Sequence, residues 1–171
     1  KAEIVAIISN HSDVSDLAAT YKVPFHHIEV DKDNKNIAEK SLENMIDTYN
    51  AEVIILARYM QILSKEISKK YNGRIINIHH SFLPSFKGAS PYKQAHKRGV
   101  KLIGATAHYV TSDLDEGPII EQDVTRVTHV TSPNDMVVAG RDVERIVLFK
   151  AVKYYLERRI ILNKSKTVVF N

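Results

Sequence analysis

"EVIILARYMQILSKEISKKYNGRIINIHH", residues 52–80, reads as strand, helix and strand in immediate succession. Its two ends, "EVIILA" (52–57) and "RIINIH" (74–79), are unbroken apolar, β-branched runs, the pattern of strands buried on both faces of a parallel sheet. The intervening 65–71 suits a short helix. Upstream the alternation repeats. "EIVAIISN" (3–10) reads as a strand and 12–21 as a helix stopped before Pro24. "PFHHIEV" (24–30) reads as a strand, and 36–50 as a helix with Ile37, Leu42, Met45 and Ile46 near one face. Strands and helices alternating at this spacing imply a doubly wound α/β sheet, whose ligands sit beyond the carboxyl ends of the strands.

The second half changes character. After a helix at 89–98, "KLIGATAHYVT" (101–111) and "PIIEQDVTRV" (118–127) are strand-like and separated by "SDLDEG", which predicts an antiparallel extension of the sheet. "TSPNDM" (131–136) announces a long helix, with Ser132 as N-cap, Pro133 at the first helical position and Asp135 three residues after the cap. That helix should run to about residue 159, and "KTVVF" (166–170) should add a short edge strand. The expected fold is therefore α/β, a doubly wound, mostly parallel sheet with an antiparallel extension and a long C-terminal helix.

The totals suit one domain: 171 residues, 44% hydrophobic and 26% charged. A net charge of +4 favours anionic partners without demanding a nucleic acid, and none is expected. Lys69 and Lys70, Lys97 and Arg98, and Arg158 and Arg159 read as solvated helix ends. Cysteine is absent, which excludes disulfides, thiolate metal sites and a cysteine nucleophile. No apolar run approaches the ~20 residues of a membrane span, and no signal segment opens the chain. No membrane association is expected, and the cytoplasm is the expected compartment.

The chemistry concentrates where the strand at 74–79 ends. Residues two apart on a strand point the same way, so Asn77 and His79 project from one face at its carboxyl end. An Asn amide suits a developing oxyanion, and His can exchange a proton near neutral pH. His80 should face the opposite side in a structural role. Asp115, in the loop between the two later strands, can serve as a base if the fold brings it over Asn77; otherwise it is a turn residue bonded to its own backbone. His11, His26, His27, His96, His108 and His129 show no metal-ligand spacing, so no metal is expected. GxSxG, GxGxxG and GxxxxGK[ST] are all absent, which argues against a serine hydrolase and a dinucleotide or NTP site.

"NIHHSFLPSFKGASPY" (77–92) and "AHYVTSDLDEGPII" (107–120) resemble the two linked motifs of the folate-dependent formyltransferase family, N-x-H-x-S-x-L-P-x-[FY]-x-G and H-[FY]-V-x(4)-D-x-GP-[IV]. "ILARYMQILS" (55–64) resembles that family's stretch beside the pterin pocket. The resemblance implies catalytic roles for Asn77, His79 and Asp115. It implies folate contacts from Met60, Gln61, Ile62 and Leu63 and from Thr111, Ser112, Asp113 and Leu114. It also suggests a cis peptide at Leu83-Pro84.

Within the family, "IISNHSD" (7–13), "VPFHHI" (23–28), the doubled His79-His80, "GASPY" (88–92), "LDEGPII" (114–120) and "AGRDVER" (139–145) resemble the branch that hydrolyses 10-formyltetrahydrofolate to tetrahydrofolate and formate. The glycinamide ribonucleotide branch typically has Pro where His80 stands and ranks second; a non-catalytic folate-binding module is the alternative of another class. The implied substrate is a small-molecule folate, with no further cofactor. Family members begin with a strand and helix ahead of the segment matching 3–10, and the hydrolytic branch carries a regulatory domain further upstream; the chain is expected to lack both. Apolar positions on the long helix, among them Met136, Ile146, Val147, Leu148, Phe149 and Leu156, suit packing on the sheet or on a second copy of the chain.

Overall fold

The computed structural model describes residues 2–31, 33–80, 90–113 and 116–170. In chain order the elements are β1 (Ile7–Ser9), α1 (Ser15–Thr20), β2 (Phe25–His27), α2 (Lys35–Thr48), β3 (Ile54–Leu56), α3 (Lys65–Lys70), β4 (Ile75–His79), α4 (Pro91–Arg98), β5 (Leu102–Tyr109), β6 (Ile119–Arg126), α5 (Pro133–Leu156), β7 (Ile160–Asn163) and β8 (Lys166–Val169). The expected α/β alternation is present, with strands in the first half shorter than their apolar runs.

Among the described residues parallel pairing is confined to that first half: β1 with β2, and β3 with β4. From β4 onward the pairing is antiparallel, giving a mixed sheet in the order β3-β4-β5-β6. β4 is thus the strand at which the parallel part meets the antiparallel extension.

Strand alternation sorts β4 into two environments. Ile76, fully buried, joins Ala105, Ala107, Tyr109, Ile120, Val143, Val147 and Ala151 in a core closed by α5, with Ile78 packed against it. Ile75 faces the other way, into a cluster with Ile46 of α2, Leu56 of β3 and Ile67 of α3. Asn77 and His79 share the parity of Ile75, so they emerge on the α2 and α3 side, past the end of that second core.

The long helix begins as its sequence dictates. Ser132 Oγ accepts from the Asp135 N–H at 3.1 Å, and Asp135 answers by accepting from the Ser132 N–H at 3.1 Å. Such a cap is typically worth about 1 kcal/mol. Met136 and Val147 are buried and Leu148 packs on the core, whereas Ile146, Phe149 and Leu156 remain exposed.

The helix does not reach residue 159. It stops at Leu156, where Glu157 caps it and Arg158 turns into the left-handed region at φ 58°. Residues 160–163, absent from the sequence reading, then form β7, which pairs with β8 across a turn containing Lys164 at φ 56°. Lys69 and Lys70 close α3, and Lys97 and Arg98 close α4, as expected of cations at helix C-termini.

Candidate active site

A cavity of about 300 Å³ opens at the carboxyl ends of β3 and β4. Asn77, His79 and His80 contribute from β4 and its continuation, Arg58 to Leu63 from the segment after β3, Ser68 from α3, and His108 to Asp113 in part from the end of β5. Of the residues singled out in the sequence, Asn77, His79, Met60, Gln61, Ile62, Leu63, Thr111, Ser112 and Asp113 all border this one space. Asp115 and Leu114 lie outside the described residues, as does the Leu83-Pro84 bond.

The cavity has a polar floor and an apolar lip. At the lip Met60 is 80% exposed and Ile62 56%, two large apolar side chains open to solvent beside the cavity. Tyr59, also on the wall, has its phenol pushed up to about 12, chiefly by burial and further by the nearby Glu39 carboxylate, so it stays a protonated donor. Ser68, buried in the wall, has a hydroxyl with no hydrogen-bond partner among the described residues.

His108 is the floor residue that the sequence reading did not single out for the site. It sits opposite Asn77 in the β4–β5 ladder and is 4% exposed. Its Nδ1 lies 2.8 Å from the Tyr109 carbonyl oxygen, which can only accept, so Nδ1 carries the proton. In the neutral ring Nε2 is then an acceptor, and it receives the Asn77 Nδ2–H across 3.4 Å. Asn77, which borders the cavity, is thereby held with one amide hydrogen committed to His108. The signal was available in one place: His108 opens the second linked motif.

The chain returns to this floor on the far side of the loop. Tyr109 N–H donates to the Pro118 carbonyl at 2.9 Å. A Cβ on Gly117 would lie 1.6 Å from the Tyr109 carbonyl oxygen and 3.1 Å from His108 Nδ1. Only glycine fits there, and its fit sets how closely the strand after the loop approaches His108.

His80 lies one residue past the end of β4. Its ring is 5.3 Å from that of His79 and 6.2 Å from that of Tyr92 on α4. The contact with α4 is on the side that strand alternation dictates, yet His80 also borders the cavity. Among the described residues no group of three or more His, Cys, Asp or Glu is placed to hold a metal ion, and no helix is long and apolar enough to cross a membrane.

Known proteins place this architecture. The family model described as formyl transferase matches residues 1–152. The formyltetrahydrofolate deformylase of Bacillus subtilis is 52% identical over 170 residues, which cover 99% of this chain and 57% of that protein. The crystal structure of formyltetrahydrofolate deformylase from Burkholderia mallei superposes with a TM-score of 0.96 at 57% identity, covering all of this chain and 61% of that one. Phosphoribosylglycinamide formyltransferase from Anaplasma phagocytophilum is more distant, with a TM-score of 0.88 and 30% identity over 99% of this chain and 82% of its own. The chain therefore spans well under two thirds of the deformylases it resembles.

Proposed function

The chain belongs to the formyl transferase family, and on that premise we propose that it is the catalytic part of an enzyme that hydrolyses 10-formyltetrahydrofolate to tetrahydrofolate and formate. The reading rests on one relationship. Asn77 and His79 stand on one face of β4 at the wall of a cavity whose lip is the Met60–Leu63 segment and whose side is Thr111 to Asp113.

In this reading the apolar lip of Met60 and Ile62 covers the pterin, and the formyl carbon sits against the floor. Water attacks that carbon, and the charge developing on its oxygen is met by the Asn77 amide and the His79 imidazole. A preorganised donor of this kind is worth about 3–4 kcal/mol. Asp115, the acid of the second motif, orients and deprotonates the water and passes the proton to the leaving folate nitrogen, a contribution of ~10²–10⁴ in rate. Water as nucleophile makes a metal, a covalent side chain or a further cofactor unnecessary. The relatives' names support hydrolysis over transfer: identity is 52% and 57% to the two deformylases above and 30% to the glycinamide ribonucleotide enzyme.

The test is incubation of the full-length protein with 10-formyltetrahydrofolate, with and without glycinamide ribonucleotide. Formate released in the absence of the amine is the expected result. Formylated amine produced only in its presence would make the protein a transferase, and folate binding with neither product would make it a binding module.

A further inference from the structure

Three motifs are left unused by the catalytic residues: the second His of the pair at 79–80, residues 90–92 of "GASPY", and "AGRDVER" (139–145). In the fold they meet. The Tyr92 ring on α4 lies 6.2 Å from the His80 ring, which in turn is 5.3 Å from the His79 ring. At such separations aromatic rings attract and restrict one another. On its other side Tyr92 reaches α5, where its O–H donates to Glu144 Oε1 at 3.2 Å. Burial first, and the Glu144 charge second, raise the phenol's pKa, so it remains a donor.

Tyr92 can reach Glu144 only because residue 140 has no side chain. A Cβ on Gly140 would lie 1.9 Å from the Tyr92 hydroxyl and 2.4 Å from its Cζ. Glycine is disfavoured in a helix interior, and Gly140 stands well inside the 24 residues of α5. Admission of the Tyr92 ring is the packing reason for it. The ring is further held by the cluster of Ile103, Val127 and Met136. Tyr92 and Glu144 do not line the cavity, so they act on its contents only through a neighbour.

We infer that Tyr92 is a positioning residue for the proposed reaction: seated in the gap at Gly140 and tied to Glu144, it fixes the His80 ring and with it the end of β4 that carries His79. The inference rests on the catalytic reading of His79. It gives the doubled His, the Tyr of "GASPY" and the Gly and Glu of α5 a single shared purpose.

The experiment is a double-mutant cycle in the full-length protein, read by formate release. Tyr92→Leu lowers kcat by about 10- to 100-fold, the penalty of a catalytic group displaced by roughly an ångström, and leaves KM nearly unchanged. Tyr92→Phe, which keeps the ring but gives up the O–H to Glu144, loses only a few-fold in kcat, as Glu144→Ala does. In a His80→Ala background Tyr92→Leu adds little further loss, because residues acting through one another are not additive. Should Tyr92→Leu fail to fold, Glu144→Ala replaces it in the cycle, with a smaller drop in kcat that likewise vanishes beside His80→Ala. Losses that add independently, or a change in KM with kcat preserved, would overturn the inference. An activity-independent arm follows the imidazole Cε1–H resonances: Tyr92→Leu shifts those of both His80 and His79, and Tyr92→Phe shifts both by less. An unmoved His79 resonance in Tyr92→Leu overturns the inference even if the wild type releases no formate, a result that would by itself sink only the hydrolytic reading.

Discussion

Asn77 and His108 face each other across the antiparallel pairing of β4 and β5, with Nδ2 and Nε2 3.4 Å apart. The Tyr109 carbonyl fixes the tautomer of His108, and His108 in turn fixes which way the Asn77 amide points. In the proposed reaction the amide must present an N–H to the oxyanion, and the pairing with His108 is what would hold it in one orientation. His108→Ala is expected to lower kcat by about tenfold or more, as loss of support for an oxyanion donor does, while folate affinity changes little. Steady-state kinetics beside equilibrium folate titration check it; equal losses in both would show that His108 serves binding instead.

The three proposed catalytic groups make a stricter demand. Asn77→Ala and Asp115→Asn are expected to fold and melt close to the wild type and to lose at least ~10²-fold in formate release, the scale of one oxyanion donor or one general base. His79→Ala is expected to be similarly impaired. Substantial residual turnover in any purified variant would remove that residue from the mechanism.

Gly117 packs its backbone directly against the Tyr109 carbonyl beside the site. A methyl group there collides with the Tyr109 carbonyl and presses on His108. Gly117→Ala is therefore expected to destabilise the fold by about 1–3 kcal/mol or more, as overpacking does, and to depress activity by displacing the partner of Asn77. Denaturant melts with parallel kinetics measure both; a variant of unchanged stability would show that the loop relaxes freely.

Ser68 carries a buried hydroxyl with no partner among the described residues. An unsatisfied buried hydroxyl carries a desolvation penalty of about 1–3 kcal/mol, so Ser68→Ala, which leaves only a small void, is expected to stabilise the unliganded protein. A rise in the urea midpoint is the expected observation, and a fall would mean that the hydroxyl is satisfied in solution.

Acid should act through Asp47. The Lys70 ammonium, hydrogen-bonded to it at 2.8 Å, is the main cause that lowers its pKa, with the Tyr71 hydroxyl at 2.7 Å second. A carboxylate with a folded pKa below its unfolded value, about 3.9, contributes its full stability above that value and loses it as the pH falls through the folded one. Lys70, raised chiefly by the same hydrogen bond, behaves oppositely: its contribution is complete below its unfolded pKa of about 10.4 and is lost as the pH rises through the folded value. Asp47→Asn should thus melt lower at pH 7 and lose less on acidification to pH 2. Melting curves of constant offset across that range would exclude Asp47 from the acid response. The pair is exposed, so 1 M salt should shrink the difference.

Local periodicity carried much of the architecture. Apolar β-branched runs separated by helical spacings mark β3 and β4, Ser132, Pro133 and Asp135 write the start of α5 in consecutive residues, and the two-residue repeat puts Asn77 and His79 on one face. Each is a property of a few neighbouring residues. The end of α5 was not legible, because neither Gly nor Pro stops it and the apolar "IIL" at 160–162 continues a helical pattern as readily as it begins a strand. Pairing with β8 settles the choice.

The sequence by itself determined which residues the strand end carries: an amide and an imidazole two residues apart, in motifs linked to a distant acid and to the stretch 60–63. Only the tertiary structure decided what surrounds them. That His108 stands opposite Asn77 depends on the register between strands 31 residues apart, and that Tyr92 fills the space over Gly140 depends on how α4 crosses α5. Register and crossing are set by simultaneous packing of the whole core, and no local pattern encodes a relation whose partners are specified only when the chain has folded.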